Sequence, residues 1–433
     1  MENTREIVLD GLLTIEKESI YSNKLINDIL DKYDYLEARD KAFIKRLFEG
    51  CIERKIELDY HIENFSSMPV KKMKPLIRCL LRMGAYQIIY MDSVPDSAAI
   101  NEAVKLAKKR KFSNLSGFVN GNLRNISRSK ESLKFPDLKK EPVNYLSVKY
   151  SVPKWICEKW LGIYGFEEAE SILRGLLDIH PVTLRFSSKL SEAELAKAVS
   201  DIEETGVTLA KDERLNFTYI AKNVEGIRNL PGFDEGAFAV QDISSSLAVM
   251  AAGIKPGDFV IDACAAPGGK STLAAELAGK DGCVISRDVS EAKTDKIQEN
   301  IDRLGLHNIK TSVWDASKFD SELEEKADVL ILDVPCSGLG ILGKKRDIKY
   351  NATPEGLAEL AKLQWDIVSA SWKYVKQGGR LLYSTCTINP AENQEQVNRI
   401  VSELPFEVVN GPVQLLPGRD NCDGFFYAVL KRK

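Results

Sequence analysis

Two cysteines, Cys336 in DVPCSG and Cys386 in STC, each stand at the end of an apolar run, with Asp333 opening the first of these motifs. Two thiols and a carboxylate are therefore expected on one edge of a sheet. A thiolate adding to carbon 6 of a pyrimidine turns the ring into an enamine whose carbon 5 can take a methyl group. A base must then remove the carbon-5 proton so that the thiol can leave. A carboxylic acid near the ring nitrogen assists the addition, a role open to Asp333. Taken singly, each cysteine reads more readily as a small buried hydrophobe. Their placement as a pair, beside a glycine loop, favours chemistry.

That loop is DACAAPGGK at residues 262–270, where an apolar run breaks at Cys264, Ala265, Ala266, Pro267, Gly268, Gly269 and Lys270 before a helix expected near Ser271. Adjacent glycines admit close backbone approach, and a helix N-terminus offers N–H donors to a carboxylate or phosphate. A phosphate-binding P-loop is excluded, because that motif needs glycine where Cys264 stands and a longer turn. Asp288 closes the next apolar run, CVISRD, twenty residues beyond Gly268, the position from which an acid reaches a ribose diol. A cap for the following helix is the competing reading. Asp315, in VWDASKF, suits the ring amine of a cofactor base or an ordinary turn.

The elements that position these residues follow from periodicity. The 433 residues suggest two to three domains, and 44% hydrophobic with 28% charged residues is ordinary globular composition. The first 125 residues read as successive helices; in DSAAINEAVKLAKK, Asp96 or Ser97 is the expected cap and Ala99, Ile100, Ala103, Val104 and Ala107 form one stripe. We therefore expect an all-helical domain over 1–135. Lysine- and proline-rich KFPDLKKEPVNY reads as a connector, with a boundary near 135–145. A small α+β module with the strand VTLRF is expected over 145–235. From 236 to 433, the runs DFVIDAC, CVISRD, DVLILDVPC and GRLLYSTC alternate with helical stretches, the pattern of a doubly wound α/β domain.

The formal net charge is −3, yet between Val104 and Tyr150 twelve bases face three acids. Such a stretch is a solvated face or an RNA contact. Eight scattered cysteines without a CxxC pair, with three histidines, argue against a metal site and a disulfide framework and for a cytoplasmic protein with reduced thiols. No signal peptide and no membrane helix is expected.

The motifs QDISS at 241–245, DACAAPGGK, DVPCSGLG and STCTINPAEN closely resemble those of the NOL1/NOP2/Sun RNA cytosine-C5 methyltransferases. RCLLRMGAYQIIY, VPDSAAINEAVKLAK and GFVNGNLRNI are similar to the NusB-like domain of that family's RsmB/Sun branch, which acts on bacterial 16S ribosomal RNA. The resemblance implies a Rossmann-like class I methyltransferase domain behind a NusB-like RNA-binding domain and an α+β module. It places S-adenosylmethionine on the loop from Cys264 to Lys270, with Asp288 and Lys293 at the ribose, Asp315 near the adenine and Asp333 at the methyl-transfer end. It makes Cys386 the nucleophile of a covalent cytosine adduct and Cys336 the residue of its release. The residues alone leave the reverse order open, since DNA cytosine methyltransferases use the cysteine of a Pro-Cys motif. Ribosomal RNA is the implied partner, with no DNA and no membrane, and a monomer is the default. Relatives carry arginine at the position of Lys293 and an Arg-Arg pair near Gly343 and Lys344, where Lys344, Lys345 and Arg346 keep most of the charge. A non-catalytic ribosome-assembly factor and a methyltransferase of transfer RNA or of uracil are the alternatives.

Overall fold

A computed structural model of the protein describes residues 3–18, 20–178, 182–224 and 226–433. They fall into two compact units. The first comprises Met1–Leu177 with Leu342–Asn351, and the second Asp178–Ile341 with Ala352–Lys433.

The first unit is helical: α1 (Thr4–Lys17), α2 (Ser22–Lys32), α3 (Ala38–Glu53), α4 (Lys55–Asn64), α5 (Pro75–Tyr90), α6 (Asp96–Lys109), α7 (Ser116–Ser129), α8 (Pro142–Tyr150) and α9 (Lys154–Leu177). Helix α5 is apolar on nearly every side and runs through the middle of the core, with Ile77, Leu80, Leu81, Ala85 and Tyr86 buried. In α6 the expected stripe is buried at Ala99, Ile100, Ala103 and Ala107, joined by Leu106, while Val104 is half-buried. The cap differs from expectation. Pro95 is the N-cap, and Asp96, the first helical residue, accepts a hydrogen bond from Ser127 Oγ at 2.6 Å.

The expected division near 135–145 does not separate compact units, because α8 and α9 group with the helices before them. Ser151, in the left-handed region, ends α8 and accepts from Ile56 N at 2.8 Å through its hydroxyl, tying the connector to α4.

The second unit holds two sheets. The smaller is antiparallel, in the order β2 (Thr208–Lys211), β3 (Thr218–Lys222), β1 (Val182–Phe186), β4 (Phe238–Val240), and α10 (Glu192–Glu203) opens with a capping box at Ser191 and Glu194. VTLRF is thus a strand, as its apolar run predicts, and its sheet extends past 235 into β4. Arg185 of β1 is buried and pairs with Glu276 Oε2 at 3.0 Å while donating to Gln241 Oε1 at 2.7 Å. A charge buried this deeply persists only with such partners, and here they fasten the small sheet to the larger domain.

The larger sheet is built from β5 (Phe259–Asp262), β6 (Cys283–Asp288), β7 (Ile309–Val313), β8 (Ala327–Asp333), β9 (Val375–Thr385), β10 (Phe406–Leu415) and β11 (Phe425–Arg432), in the order β10-β11-β9-β8-β5-β6-β7. Strands β9, β8, β5, β6 and β7 are parallel, whereas β11 and β10 pair antiparallel at one edge. Helices α11 (Ile243–Ala251), α12 (Gly269–Ala278) and α13 (Glu291–Arg303) supply the core on one face, and α15 (Pro354–Ser371) and α16 (Gln394–Glu403) that on the other. Coverage on both faces explains why β8 reads as a continuous apolar run. The strand order reverses between β5 and β8, and at such a switch point the loops leaving the carboxyl ends open a crevice.

Between β8 and α15 the chain passes through Leu342–Asn351, including the single turn α14 (Ile348–Asn351), whose contacts lie in the helical unit. Lys349 Nζ donates to Glu53 O at 2.8 Å, Tyr350 Oη to Ile52 O at 2.8 Å, and Asp347 Oδ2 accepts from Ser22 N at 2.7 Å. No helix among the described residues is long and apolar enough to cross a membrane, and they include no metal-binding group of histidine, cysteine and acids.

Candidate active site

Parallel pairing sets Asp333 opposite Ser384 on the neighbouring strands β8 and β9. Cys336 follows the first by three residues and Cys386 the second by two, so the two loops leave the sheet side by side. Their sulfurs lie 3.2 Å apart. The hydrogen bond with Cys386, then burial, then the charge of Cys386 and last that of Glu392 push the Cys336 thiol well above its ordinary range. Gly340 N donates to Cys386 O at 3.1 Å, which joins the two loops through backbone.

Asp333 lies beneath this pair. Its Oδ1 accepts from Ser384 Oγ at 2.8 Å and its Oδ2 from Lys270 Nζ at 2.6 Å. Lys270 also sits 5.1 Å above the ring of Phe425. Ser384 and Phe425 are site neighbours that sequence reading missed. A serine and a phenylalanine on strands carry no chemical signal of their own.

The loop from Cys264 to Lys270 leaves β5 for α12, which begins at Gly269, two residues before the expected start. Gly268 is left-handed, with φ 102°, and a Cβ there would press on Ile297 Cγ2 at 3.1 Å, so the loop needs a residue without one. Burial and the carboxylates of Asp262, Asp288 and Asp333 push the Cys264 thiol well up, which keeps it neutral. Asp262 is fully buried; it accepts from Ser271 Oγ at 2.6 Å, and burial raises its carboxyl to about 7.

Asp288 ends β6 with its carboxylate turned back to the loop. Its oxygens accept from Ala266 N at 2.9 Å, Val289 N at 2.7 Å and Lys293 Nζ at 2.8 Å. It does not cap α13, whose N-cap is Ser290. Lys293 is thereby brought into the site, where it neutralises Asp288 through a single bond and lacks the fork of an arginine. Asp315 stays apart. Its carboxylate closes a turn on Ser317 N and Oγ at 3.0 and 2.6 Å, and that loop is tied to β6 by the backbone bond from Trp314 N to Asp288 O, 2.9 Å, and by Arg287 over the Trp314 ring.

The basic stretch is less free than its count suggests. Lys105, Lys109, Arg110, Lys130 and Lys149 are ion-paired with Glu102, Glu6, Glu6 and Asp10, Asp96 and Glu170. Lys108, Lys111, Arg124, Arg128, Lys134, Lys139 and Lys140 are exposed. Arg346, expected to help replace the Arg-Arg pair, is instead bound to Glu53 and Glu49 at 3.2 and 3.4 Å.

A carboxylate at a strand end, a left-handed glycine and a free helix N-terminus suit a nucleoside-bearing cofactor next to the two thiols. Comparison with known proteins gives the class. Residues 249–431 match the 16S rRNA methyltransferase RsmB/F family, and residues 2–128 match the NusB family. The chain is 36% identical over 450 residues to a probable ribosomal RNA small subunit methyltransferase B of Bacillus subtilis, with 100% of this chain and 99% of that one covered. It is 34% identical to the probable counterpart of Synechocystis, with 100% of both chains covered. The crystal structure of the protein designated PH0851 superposes with a TM-score of 0.81 at 26% identity, covering 100% of this chain and 99% of that one. The chain therefore belongs to the ribosomal RNA small subunit methyltransferase B family, S-adenosylmethionine-dependent methyltransferases of 16S ribosomal RNA with a NusB domain at the N-terminus.

Proposed function

We propose that this enzyme methylates carbon 5 of a cytosine in 16S ribosomal RNA through a covalent adduct on Cys386. The observation that carries the reading is the pair of sulfurs 3.2 Å apart at two adjacent strand ends. A methyltransferase acting on a ring nitrogen, a hydroxyl or an exocyclic amine has no use for a second thiol.

The order of the two cysteines is the one the family resemblance implies. The hydrogen bond with Cys386 and burial push the Cys336 thiol well up, which supports Cys386 as the thiol that ionises. Cys386 Sγ adds to carbon 6 of the cytosine, while the Asp333–Lys270 pair holds a proton at the ring nitrogen. S-adenosylmethionine, held by the loop from Cys264 to Lys270 and by Asp288 with Lys293 beside it, supplies the methyl group. Asp315, on the loop next to Asp288, is assigned to the adenine. Cys336 releases its own proton to water once Cys386 is bound in the adduct, and after the new carbon–carbon bond has formed its thiolate takes the proton from carbon 5. The bond between Cys386 and carbon 6 then breaks, and its electron pair returns to Cys386.

The test is trapping. Cys336→Ala, incubated with 16S ribosomal RNA and S-adenosylmethionine, is expected to run on denaturing gels as an RNA-linked band, and Cys386→Ala to give none. An adduct with Cys386→Ala in place of Cys336→Ala reverses the order, and no adduct with either removes the covalent step.

A further inference from the structure

Each thiol loop contributes one residue beyond its cysteine to a buried cluster centred on Glu392, a residue of the NPAEN stretch with no part in the reaction steps proposed for the two thiols. Glu392 is fully buried. Its Oε1 accepts from Ser337 N at 2.8 Å and Gln364 Nε2 at 3.1 Å, and its Oε2 from Ser337 Oγ at 2.6 Å and Asn389 Nδ2 at 2.8 Å. All four partners donate, the set that an ionised carboxylate requires. Gln364 Nε2 also donates to Pro335 O at 2.9 Å, so the peptide on each side of Cys336 is held. Ser337 Oγ lies 2.8 Å from Thr387 Oγ1, which carries the same bond network to the residue after Cys386.

We propose that Glu392 is a positioning residue that clamps the Cys336 loop onto the Cys386 loop and, as the buried negative charge on the Cys336 side, determines which of the two thiols ionises. The electrostatic sense is consistent. A carboxylate one residue from Cys336 opposes a second negative charge there, and it contributes to the upward push on that thiol. The other ionisable groups around Cys336 do not reverse this. Cys386 is the partner thiol, the Tyr383 hydroxyl is itself pushed well up by burial, and the Asp333 carboxylate is offset by Lys270. The carboxylate is tied to α15 through Gln364, and the backbone of Glu392 to β9 through Tyr383 Oη, which donates to Glu392 O at 2.7 Å.

This inference rests on the covalent reading of the site, but its test needs no RNA. The full-length protein is treated with iodoacetamide over pH 7 to 10, and alkylation of each cysteine is followed by peptide mass spectrometry. In the wild type, Cys386 is expected to react about tenfold or more faster than Cys336, since thiolate fraction sets the rate. In Glu392→Gln, which keeps the shape and removes the charge, that preference is expected to fall by about tenfold, mostly through faster alkylation of Cys336. A folded Glu392→Gln protein with the wild-type preference overturns the proposal, as does a wild type that favours Cys336. Should Glu392→Gln fail to fold, Glu392→Met, which removes the charge at similar length, is read in the same way. A loss of preference supports the clamp and an unchanged one overturns it. Absence of an RNA adduct would remove the covalent step and leave the alkylation result standing.

Discussion

Gly340 follows Cys336 by four residues, and its environment allows the effect of one methyl group to be worked out. Its N donates to Cys386 O, and its O accepts from Gly424 N at 2.9 Å, in the loop before β11. A Cβ on Gly340 would lie 1.9 Å from Gly424 O, 2.5 Å from its C and 2.8 Å from its Cα. A real Cβ does not come within 3.0 Å of such an atom, so the two backbones must part by 3.0 minus 1.9, about 1.1 Å. No side chain can turn aside, because every atom struck belongs to backbone. The displacement is a third of the 3.2 Å between the sulfurs, and Gly340 is bonded to the residue carrying one of them. Overpacking of this kind costs about 1–3 kcal/mol. A misplacement of about 1 Å at reacting groups lowers the rate of chemistry roughly a hundredfold. Gly340→Ala should therefore unfold at lower denaturant and transfer methyl groups about a hundredfold more slowly in single-turnover assays on 16S ribosomal RNA. Affinity for S-adenosylmethionine, read by calorimetry, should hold, because the β5 and β6 ends are not bonded to Gly340. A Gly340→Ala protein with wild-type stability and a turnover within about threefold of wild type would refute the reasoning.

Two further outcomes are expected. Burial lowers the Lys349 amine to about 7 from its ordinary 10.5, so between those values the unfolded chain holds more protons and stability rises with pH; the full penalty applies below about 7. Lys349→Met should raise the thermal midpoint at pH 7 and flatten its pH dependence between 7 and 10, and an unchanged slope would show that Lys349 carries none of it. For the basic stretch, changing exposed Arg124 or Lys139 to alanine should reduce the salt dependence of RNA binding by about 0.7 to 0.9 for each phosphate no longer neutralised. Lys109→Ala, whose amine is already bound to Glu6, should change it far less, and equal effects would reject the division into paired and exposed bases.

The sequence by itself determined what is local. The apolar stripe of α6 depends on neighbours three and four residues away, the apolar run of β8 on adjacent residues, and turn chemistry at Gly268 on one backbone angle. Residues standing at strand ends could therefore be picked out before any contact was known, and the glycine loop, Asp288, Asp333, Cys336 and Cys386 all lie at the carboxyl edge of one sheet. Tertiary structure decided what depends on partners distant in the chain. The grouping of α8 and α9 with the helical unit reflects packing of α8 against α4 and of α9 against α8, which no linker composition encodes. Arg346 and four bases of the basic stretch, Lys109, Arg110, Lys130 and Lys149, are held by acids distant in the chain that sequence counting cannot match to them. The two cysteines could be placed on one edge from their motifs, but their 3.2 Å separation comes from the Asp333–Ser384 register and from hydrogen bonds spanning 28 to 55 residues to Glu392. Neither a register between strands nor a buried carboxylate's choice of donors is written in the residues nearby, and at this site those two choices distinguish one thiol from the other.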